Sequence, residues 1–455
     1  MTDPRLAVLI LAAGQGTRMK SAVPKVLHRV ANRAMVEHVL AAAAPLGAAR
    51  TVVVVGPGMD AVTAAVAPAE TVVQLQPRGT GHAVMSARPL LEGFAGDVLV
   101  LPGDAPLVTT ASLAALIAER RRAPEAAAVV LGMRPADSSP YGRLVTEGDV
   151  LTAIVEARDC TPAQRAITLC NSGIWAIDGH KLFTLLEGIG TANAVGEYYL
   201  TDIVGVAHRS GLICRTIEAP AETLVGVNSR AELAAAEALM QRRLRSAAMS
   251  EGVTLVDPDS VFFSADTRIG RDSVVGPFVV FGPGVAIGEA VEIPAFCHLV
   301  GATVGDRASI GPFARLRPGA ELGDGVHLGN FVEVKNSRLG AGVKANHLTY
   351  LGDSTVGAGS NIGAGTITCN YDGFEKFRTE IGESVFVGTN TSLVAPVSIG
   401  SGAFIAAGSV ITDDVPPDAM AVARGPQVTK PKRAAQWRER RRAEKSGKLK
   451  RKGKG

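Results

Sequence analysis

The chain has 455 residues, more than one ordinary hydrophobic core accommodates, which predicts two or three domains. Aromatic residues make up only 4% of it while glycine occurs 51 times, a composition typical of a fold with frequent turns and thin layers of small side chains. The net charge of +4 comes from residues 430–455, which contain thirteen Lys and Arg but only two Glu. The rest of the chain has a net charge of −7, which argues against nucleic-acid binding by the folded body.

The sequence does not predict a targeting signal, a membrane-spanning segment or a cysteine-based site. Asp3 and Arg5 interrupt the N-terminal segment, and no apolar run approaches the ~18 residues that cross a bilayer. The five cysteines are odd in number and form no CxxC pair. We therefore expect a cytoplasmic protein without membrane insertion, disulfide framework or cysteine-bound metal.

Residues 1–228 alternate strand-like and helix-like segments. Aliphatic runs of strand length occupy residues 6–11, 51–55, 71–75, 98–101 and 127–131, with Ala-rich stretches such as 34–46 and 112–122 between several of them. This alternation predicts a Rossmann-like, doubly wound domain, in which helices cover both faces of a mostly parallel sheet.

A glycine-rich loop from Leu11 to Met19 directly follows the first predicted strand. Glycines at a strand end allow backbone N–H groups to approach phosphates, although many such loops are only tight turns. Met19 stands where the dinucleotide fingerprint needs a third glycine, and the Gly-Lys-Ser/Thr of a P-loop is absent. The cations Arg18 and Lys25 suit a polyanionic triphosphate.

Two hard oxygen ligands follow apolar strands elsewhere in this region. Asp104 comes after residues 98–101, and Asn228 comes after residues 225–227. Such ligands suit Mg²⁺, which keeps water and substrate phosphates in its shell, and strand ends are where doubly wound sheets bind ligands. A carboxylate or amide of a surface turn is the alternative for each.

A helix is predicted next. Ser229 and Glu232 form a capping-box pattern, and apolar residues recur at helical spacing from Leu233 to Ala247. We expect this helix to connect two domains; another core helix of the first domain is the alternative.

From about residue 253 an aliphatic residue followed by glycine recurs every six positions, as at Val275, Phe281, Ile310 and Leu328. The residue four positions after each aliphatic is usually small. Three six-residue sides make one triangular coil, so this period predicts stacked coils of parallel strands with both repeat positions facing inward. We attribute the glycines to tight corners.

Of three histidines in this region, His298, His327 and His347, the last falls in neither inward position and should face outward. A neutral histidine can serve as a base near pH 7. A solvated surface histidine and a zinc site shared by three subunits are the alternatives, although no trio of histidines aligned with the repeat is present.

Matches over the whole chain carry a family resemblance. They include residues 11–19 with Pro24-Lys25, Gly79-Thr80-Gly81-His82, Asn171-Ser172-Gly173, residues 197–202 and the six-residue repeats. The first half resembles sugar-phosphate nucleotidyltransferases and the second half hexapeptide-repeat acyltransferases. Together they resemble the GlmU family, which is both N-acetylglucosamine 1-phosphate uridylyltransferase and glucosamine 1-phosphate acetyltransferase. The resemblance implies a left-handed β-helix, against the usual crossover hand, and a homotrimer built through it.

The resemblance implies the residues of the uridylyl-transfer site. Arg18 and Lys25 would be catalytic, Asp104 and Asn228 would hold Mg²⁺, and the remaining nucleotide and sugar contacts would be Leu11, Ala12, Ala13, Gly14, Gln74, Gly79, Thr80, Gly142, Glu156 and Asn171. Ser172 replaces an expected Thr, and Gln76 competes with Gln74.

For acetyl transfer the resemblance implies that His347 is the base. Arg317, Lys335, Tyr350 and Asn361 would surround the sugar, and the outward cations would bind its phosphate. Acetyl-CoA would contact Ala364, Asn370, Tyr371, Thr389, Ala407 and Arg424, Thr389 replacing an expected Ser. Residues 368–379 break the repeat, which predicts a loop reaching over a neighbouring subunit.

The expected function is acetylation of glucosamine 1-phosphate, followed by transfer of UMP from UTP to give UDP-N-acetylglucosamine and pyrophosphate. Alternatives are a nucleotidyltransferase with an inert oligomerising β-helix, and a non-enzymatic nucleotide-binding or assembly protein. The expected divisions are a nucleotidyltransferase domain (1–228), a linker helix (229–249), a β-helix acetyltransferase domain (250–429) and a disordered basic tail (430–455).

Overall fold

The computed structural model describes the backbone of residues 5–452 and the side chains of residues 5–446. The chain forms two compact units, Met1–Ala302 and Thr303–Gly455. Each is described by itself below.

The first unit begins with a nine-stranded sheet covered by helices. Its strands, with a separate two-stranded ribbon of β2 and β3, are β1 (Arg5–Leu11), β2 (Arg29–Val30), β3 (Arg33–Ala34), β4 (Arg50–Val55), β5 (Glu70–Val73), β6 (Gly96–Pro102), β7 (Ala126–Met133), β8 (Arg143–Glu147), β9 (Val150–Val155), β10 (Cys170–Asp178) and β11 (Ile213–Glu218). The helices are α1 (Met35–Ala43), α2 (Asp60–Ala65), α3 (Thr80–Ser86), α4 (Arg88–Leu91), α5 (Thr110–Arg122), α6 (Pro162–Arg165), α7 (Gly179–Glu187), α8 (Ile203–Arg209) and α9 (Arg230–Ser250).

The strand order β11-β7-β10-β6-β1-β4-β5 confirms the predicted doubly wound sheet. Along this path the pairings are parallel except those of β10, which runs antiparallel to both β6 and β7. Off the path, β8 pairs antiparallel with β10 and with β9. Central strand β1 is buried on both faces. Leu9 packs with residues of α3, α7 and α8, whereas Val8 and Ile10 pack with residues of α1, α2 and α5.

Helix α9 begins with the predicted capping box. The Ser229 hydroxyl accepts a hydrogen bond from the Glu232 amide at 3.3 Å, and the Glu232 carboxylate accepts one from the Ser229 amide. Ala236 and Met240 pack against the ribbon of β2 and β3, while the Gln241 side chain donates to the Phe263 carbonyl at 2.7 Å. The helix therefore contacts both the doubly wound domain and the first coil of the β-helix.

The predicted six-residue period produces short parallel strands. In the first unit they are β12 (Thr254–Leu255), β13 (Arg268–Ile269), β14 (Val274–Val275), β15 (Val280–Phe281), β16 (Ala286–Ile287), β17 (Glu292–Ile293) and β18 (His298–Leu299). They pair as β12-β14-β17, β13-β16 and β15-β18, so every third strand belongs to the same sheet.

The second unit continues the same construction with longer sheets. Its strands are β19 (Ala302–Val304), β20 (Ser309–Ile310), β21 (Arg315–Leu316), β22 (Ala320–Leu322), β23 (His327–Asn330), β24 (Glu333–Lys335), β25 (Ser337–Leu339), β26 (Lys344–His347), β27 (Tyr350–Gly352), β28 (Ser354–Val356), β29 (Asn361–Ile362), β30 (Ile367–Cys369), β31 (Thr379–Ile381), β32 (Phe386–Val387), β33 (Ser392–Val394), β34 (Val397–Ile399), β35 (Phe404–Ile405), β36 (Val410–Ile411) and β37 (Met420–Ala421). The fold is the expected left-handed β-helix of hexapeptide repeats, and three sheets run along this unit.

Both repeat positions face inward as predicted. Val275, Leu328 and Ile405 are fully buried aliphatic residues, and Ser360 and Thr366 are fully buried small ones. The reason for the repeat glycines differs from the one expected. Gly276 is not in the left-handed region; a Cβ there would lie 2.8 Å from the Ala295 backbone nitrogen, so close approach of the next coil requires glycine.

Two segments depart from the repeat. Residues 370–378 form the predicted loop between β30 and β31, with Phe374 91% exposed. The disorder expected for residues 430–455 is wrong for α10 (Arg433–Lys452), and residues 453–455 lie outside the described residues. Ala, Arg, Lys and Glu are good helix formers, and Arg440 and Arg441 pair with Glu444 one turn away.

No helix among the described residues has the length and apolar character that crossing a bilayer requires. The cysteines of the described chain form no disulfide.

Candidate active sites

The glycine-rich loop and Asp104 lie side by side because β1 and β6 are parallel neighbours. Leu11 at the end of β1 pairs with Pro102 at the end of β6, so both following loops emerge at the same sheet edge. Gly16 has φ +62°, and a Cβ there would lie 2.5 Å from the Lys25 Cβ. The loop thus needs glycine for its conformation and to bring Lys25 against it.

Lys25 marks a cation position at this edge. Its ammonium group forms an ion pair with Asp104 and donates to the Asn228 Oδ1 at 3.0 Å. Two oxygen ligands from distant parts of the sequence thus converge on one positive charge. Carboxylate and amide oxygens are the donor set that Mg²⁺ accepts while phosphates and water fill its shell, so these residues fit a divalent cation. No group of three His, Cys, Asp or Glu able to hold a metal occurs in the described part of the chain.

The doubly wound domain contains a cleft of about 370 Å³. It gathers eleven of the predicted site residues, namely Leu11, Ala12, Ala13, Gly14, Lys25, Gln74, Gly79, Thr80, Asp104, Glu156 and Asn171. Gly142 lies beside them, since a Cβ there would be 3.3 Å from the Glu156 carboxylate. Asn228 adjoins the cleft through its bond to Lys25.

The structure distinguishes the two competing glutamines. Gln74 is 5% exposed and lines the cleft, whereas Gln76 is exposed and does not. Strand β5 ends at Val73, and the Gln74 amide N–H continues the ladder by donating to the Val55 carbonyl at 2.8 Å. The ladder therefore fixes the direction in which the Gln74 side chain points.

Glu156 lines this cleft and directly follows β9. Burial raises the pKa of its carboxyl group, and the hydrogen bond that Thr201 donates to it at 3.1 Å opposes that rise. Thr201 and Glu197 also line the cleft but were not predicted as site residues. Both lie in the 197–202 motif that carried the family resemblance, and this was the available signal.

Arg18 lies apart from Lys25. It is exposed and lines a second cavity, of about 1010 Å³, which also contains Arg143, Arg158 and Arg165. The two cavities share Glu156 and Glu197. The structure therefore places Arg18 in an adjoining cavity instead of in the cleft with Lys25.

In the second unit His347 faces outward, as predicted, at the end of β26. Its Nδ1 lies 2.8 Å from the Oδ1 of Asn330, the paired residue one coil earlier. A carbonyl oxygen only accepts hydrogen bonds, so Nδ1 carries a proton, and in the neutral imidazole the lone pair is then on Nε2. Asn330 was missed because its partner lies 17 residues away, which the sequence shows only once the register of the coils is known.

The predicted sugar-phosphate ligands lie on or beside neighbouring strands. Arg317 follows β21, Lys335 ends β24 and Tyr350 begins β27, and these three strands are consecutive in one sheet. Arg317 donates to the Glu333 carboxylate at 2.9 Å. Asn361 begins β29, which pairs with the strand that carries His347.

An unpredicted polar cluster surrounds Lys335. Burial would raise the pKa of the Asp353 carboxyl, but hydrogen bonds from Asn336 and Asn370 and the charges of Lys335 and Lys376 bring it below its usual value. The neighbouring Lys335 ammonium lowers the pKa of Lys376. Two cations thus crowd together at this surface, an arrangement that an anion would relieve.

Three of the six predicted acetyl-CoA contacts follow one column of the coil. Ala364, Thr389 and Ala407 each lie two residues after the paired positions Ile362, Val387 and Ile405. Arg424 is exposed beside Gly408. Asn370 and Tyr371 begin the 370–378 loop, Asn370 bonded to Asp353 and Tyr371 60% exposed.

Known protein families match both halves of the chain. Residues 8–168 match the MobA-like NTP transferase domain, and residues 301–336 and 378–413 match the bacterial transferase hexapeptide family. A solved structure of UDP-glucose pyrophosphorylase with UDP-glucose aligns over 52% of this chain and 99% of its own, at 16% identity and a TM-score of 0.43.

Curated relatives match nearly the full length. The "Bifunctional protein GlmU" of Paramagnetospirillum magneticum is 55% identical over 98% of this chain and 99% of its own. That of Rhodospirillum rubrum is 58% identical over 95% and 97%. With a nucleotidyltransferase half, a hexapeptide β-helix and this identity along the whole length, the chain belongs to the GlmU family of bifunctional uridylyltransferases and acetyltransferases.

Proposed function

We propose that the cleft beside β1 and β6 performs the uridylyl transfer through the residues that it gathers. The nucleophile is already an anionic phosphate oxygen of N-acetylglucosamine 1-phosphate, so no protein base is needed. Lys25 would oppose the charge of the UTP phosphates, and Arg18, in the adjoining cavity, would oppose that of departing pyrophosphate. The remaining cleft residues would hold the base and ribose at Leu11–Gly14, Gln74 and Gly79-Thr80, and the sugar at Gly142, Glu156 and Asn171.

The divalent ion of this reaction would be Mg²⁺, held by Asp104 and Asn228. The observation that supports it is the convergence of both oxygens on the Lys25 ammonium. Bound there, the ion would neutralise charge on the phosphates. Lys25 would then turn from Asp104 and Asn228 toward the substrate phosphates.

For the acetyl transfer we propose His347 as the base that takes a proton from the glucosamine amine during attack on the thioester. Its bond to Asn330 supports this role, because it leaves the Nε2 lone pair directed away from Asn330. Arg317 and Lys335 would bind the sugar phosphate, with Tyr350 and Asn361 on the sugar. Ala364, Asn370, Tyr371, Thr389, Ala407 and Arg424 would contact acetyl-CoA.

We also propose the larger organisation. The chain would comprise domains 1–228 and 250–429 joined by residues 229–249, act in the cytoplasm, and assemble as a homotrimer through the β-helix. The hexapeptide repeats, a family feature associated with oligomers, support the assembly. Acetylation would come first and uridylyl transfer second, the reverse of their order along the chain.

One coupled assay tests the residue assignments. Wild-type protein, His347→Ala and Asp104→Asn are given glucosamine 1-phosphate, acetyl-CoA, UTP and Mg²⁺. We expect His347→Ala to lose coenzyme A release while still converting supplied N-acetylglucosamine 1-phosphate, and Asp104→Asn to show the opposite. Acetylation that survives in His347→Ala would refute the proposed base. Pyrophosphate release that depends neither on added Mg²⁺ nor on Asp104 would refute the proposed metal site.

A further inference from the structure

Gln74 presents one particular end of its amide to the nucleotide cleft. Its Nε2 lies 3.2 Å from the Gly79 carbonyl oxygen and 3.1 Å from the Nδ1 of His82. A backbone carbonyl only accepts hydrogen bonds, so the nitrogen of the amide must face this side. The Oε1 of Gln74 has no protein hydrogen-bond partner among the described residues and is the end left for a ligand.

The same contacts determine the state of His82. Because the Gln74 amide donates, the Nδ1 of His82 must carry a lone pair, and its proton must be on Nε2. The ring is supported by Tyr198, whose ring centroid is 6.4 Å away, and Arg78 lies over the Tyr198 ring at 5.1 Å. His82 does not line the cleft, so it acts on the ligand only through Gln74.

We propose that His82 is a positioning residue for pyrimidine selectivity. Its neutral Nδ1, together with the Gly79 carbonyl, holds the Gln74 oxygen toward the base. An acceptor there pairs with the N3–H of uracil, whereas cytosine has a lone pair at N3 and is repelled. This inference rests on the proposed contact between Gln74 and the base of UTP.

The orientation of the Gln74 amide should depend on pH, because it depends on the protonation of His82. Burial and the positive charge of Arg78 lower the pKa of His82 below its ordinary value of 6.5, so the ring is neutral at neutral pH. As the pH falls through that lowered pKa, Nδ1 gains a proton and two donors face each other. Only the Gly79 carbonyl then holds the Gln74 NH₂ on that side, while the protonated ring favours the opposite orientation of the amide. The amide therefore presents its NH₂ to the base in a larger fraction of molecules, which weakens UTP binding and reduces the penalty on CTP.

The test measures kcat/KM for UTP and for CTP with N-acetylglucosamine 1-phosphate, in wild type, His82→Leu and His82→Asn. Leucine removes the acceptor, and we expect the UTP-to-CTP ratio to fall about tenfold or more. Asparagine places an acceptor oxygen near the position of Nδ1 and does not titrate in this range. The His82→Asn variant should therefore keep the wild-type UTP-to-CTP ratio of kcat/KM. It should also keep that ratio at acid pH, where the ratio of the wild type falls.

Ser86→Ala is the matched control, because Ser86 donates to the His82 backbone carbonyl from the next turn of α3 and should leave the ratio unchanged. A ratio within twofold of wild type in His82→Leu would overturn the inference. Should that variant not fold, equal pH dependence of the ratio in wild type and His82→Asn would overturn it. Absence of any UTP-dependent pyrophosphate release by wild type would instead refute the proposed function itself.

Discussion

At the scale of single residues, the hydrogen bond to Asn330 distinguishes His347, the proposed base, from a surface histidine without a partner. We expect Asn330→Ala to lower kcat for acetyl transfer about tenfold or more, because the imidazole loses the partner that fixes its tautomer and orientation. The KM for acetyl-CoA and the uridylyl transfer should not change. Steady-state kinetics of both reactions check this, and an unchanged acetylation kcat would assign the bond no role in orientation.

Glu156 should show a conflict between stability and function. Because burial raises its pKa in the folded protein above the unfolded value, the ionised carboxylate costs stability at neutral pH, and that cost disappears as the pH falls through the raised pKa. Glu156→Gln should therefore increase the free energy of unfolding by about 1 kcal/mol at pH 7, with a smaller gain in acid.

The same substitution should raise the KM for N-acetylglucosamine 1-phosphate about tenfold, since the charged acceptor is lost. Thermal unfolding across pH and steady-state kinetics measure the two effects. Glu147→Gln, at an exposed position of β8, is the control and should alter neither. A destabilised Glu156→Gln variant would show that the carboxylate is better satisfied than its burial indicates.

Sequence patterns predicted residue types at the sites better than they predicted the partners of those residues. The outward direction of His347 was predicted from its position in the six-residue repeat. The glycine-rich loop near Lys25 was predicted because it directly follows the first strand. Asn330, Glu333 and Asp353 were missed because their contacts cross from one coil to the next. Such contacts depend on the register of coils 16 to 18 residues apart, which was not assigned at the sequence level.

At the scale of elements, the glycine loop after β1 depends on Gly16 for two reasons, its positive φ and its contact with Lys25. Gly16→Ala should displace Lys25 and lower kcat/KM for UTP about 100-fold. Gly58→Ala is the control, because Gly58 also has positive φ but open space around it. It should cost about 1 kcal/mol of stability without loss of activity. Equal kinetics of both variants would contradict the steric explanation.

Strand β23 offers a matched pair for the β-helix. Leu328 is fully buried, whereas the adjacent His327 points outward. Leu328→Ala should destabilise the second unit by roughly 2–5 kcal/mol, because it leaves a cavity in a thin core, and should lower the temperature at which acetyl transfer is lost. His327→Ala should do neither. Thermal inactivation of acetyl transfer, with uridylyl transfer followed in the same samples, tests the pair.

Elements were predictable where one periodicity dominated. The ends of strands β1, β4, β6 and β7 were predicted to within two residues, and the six-residue period predicted the β-helix. The antiparallel direction of β10 was not predictable, because direction depends on how distant strands are connected. Helix α10 was missed because its high charge and lack of an apolar stripe were given more weight than its helix-forming residues.

At the scale of the whole molecule, the charge is divided between a negative body and a positive C-terminal segment. Every side chain described from Lys430 onward is exposed, so the segment adds cationic surface without burying apolar area. A chain ending at Thr429 would change the net charge from +4 to −7. We expect it to lose retention on a cation exchanger, while its midpoint of thermal unfolding stays within about 1 °C of that of the full chain and its uridylyl transfer is unchanged.

Since Arg424 and the other proposed acetyl-CoA contacts remain in the chain that ends at Thr429, its acetyl transfer should persist too. A selective loss of acetyl transfer would mean that the basic helix completes the acyl site, because the uridylyl transfer of the same molecules reports whether the rest of the protein is intact.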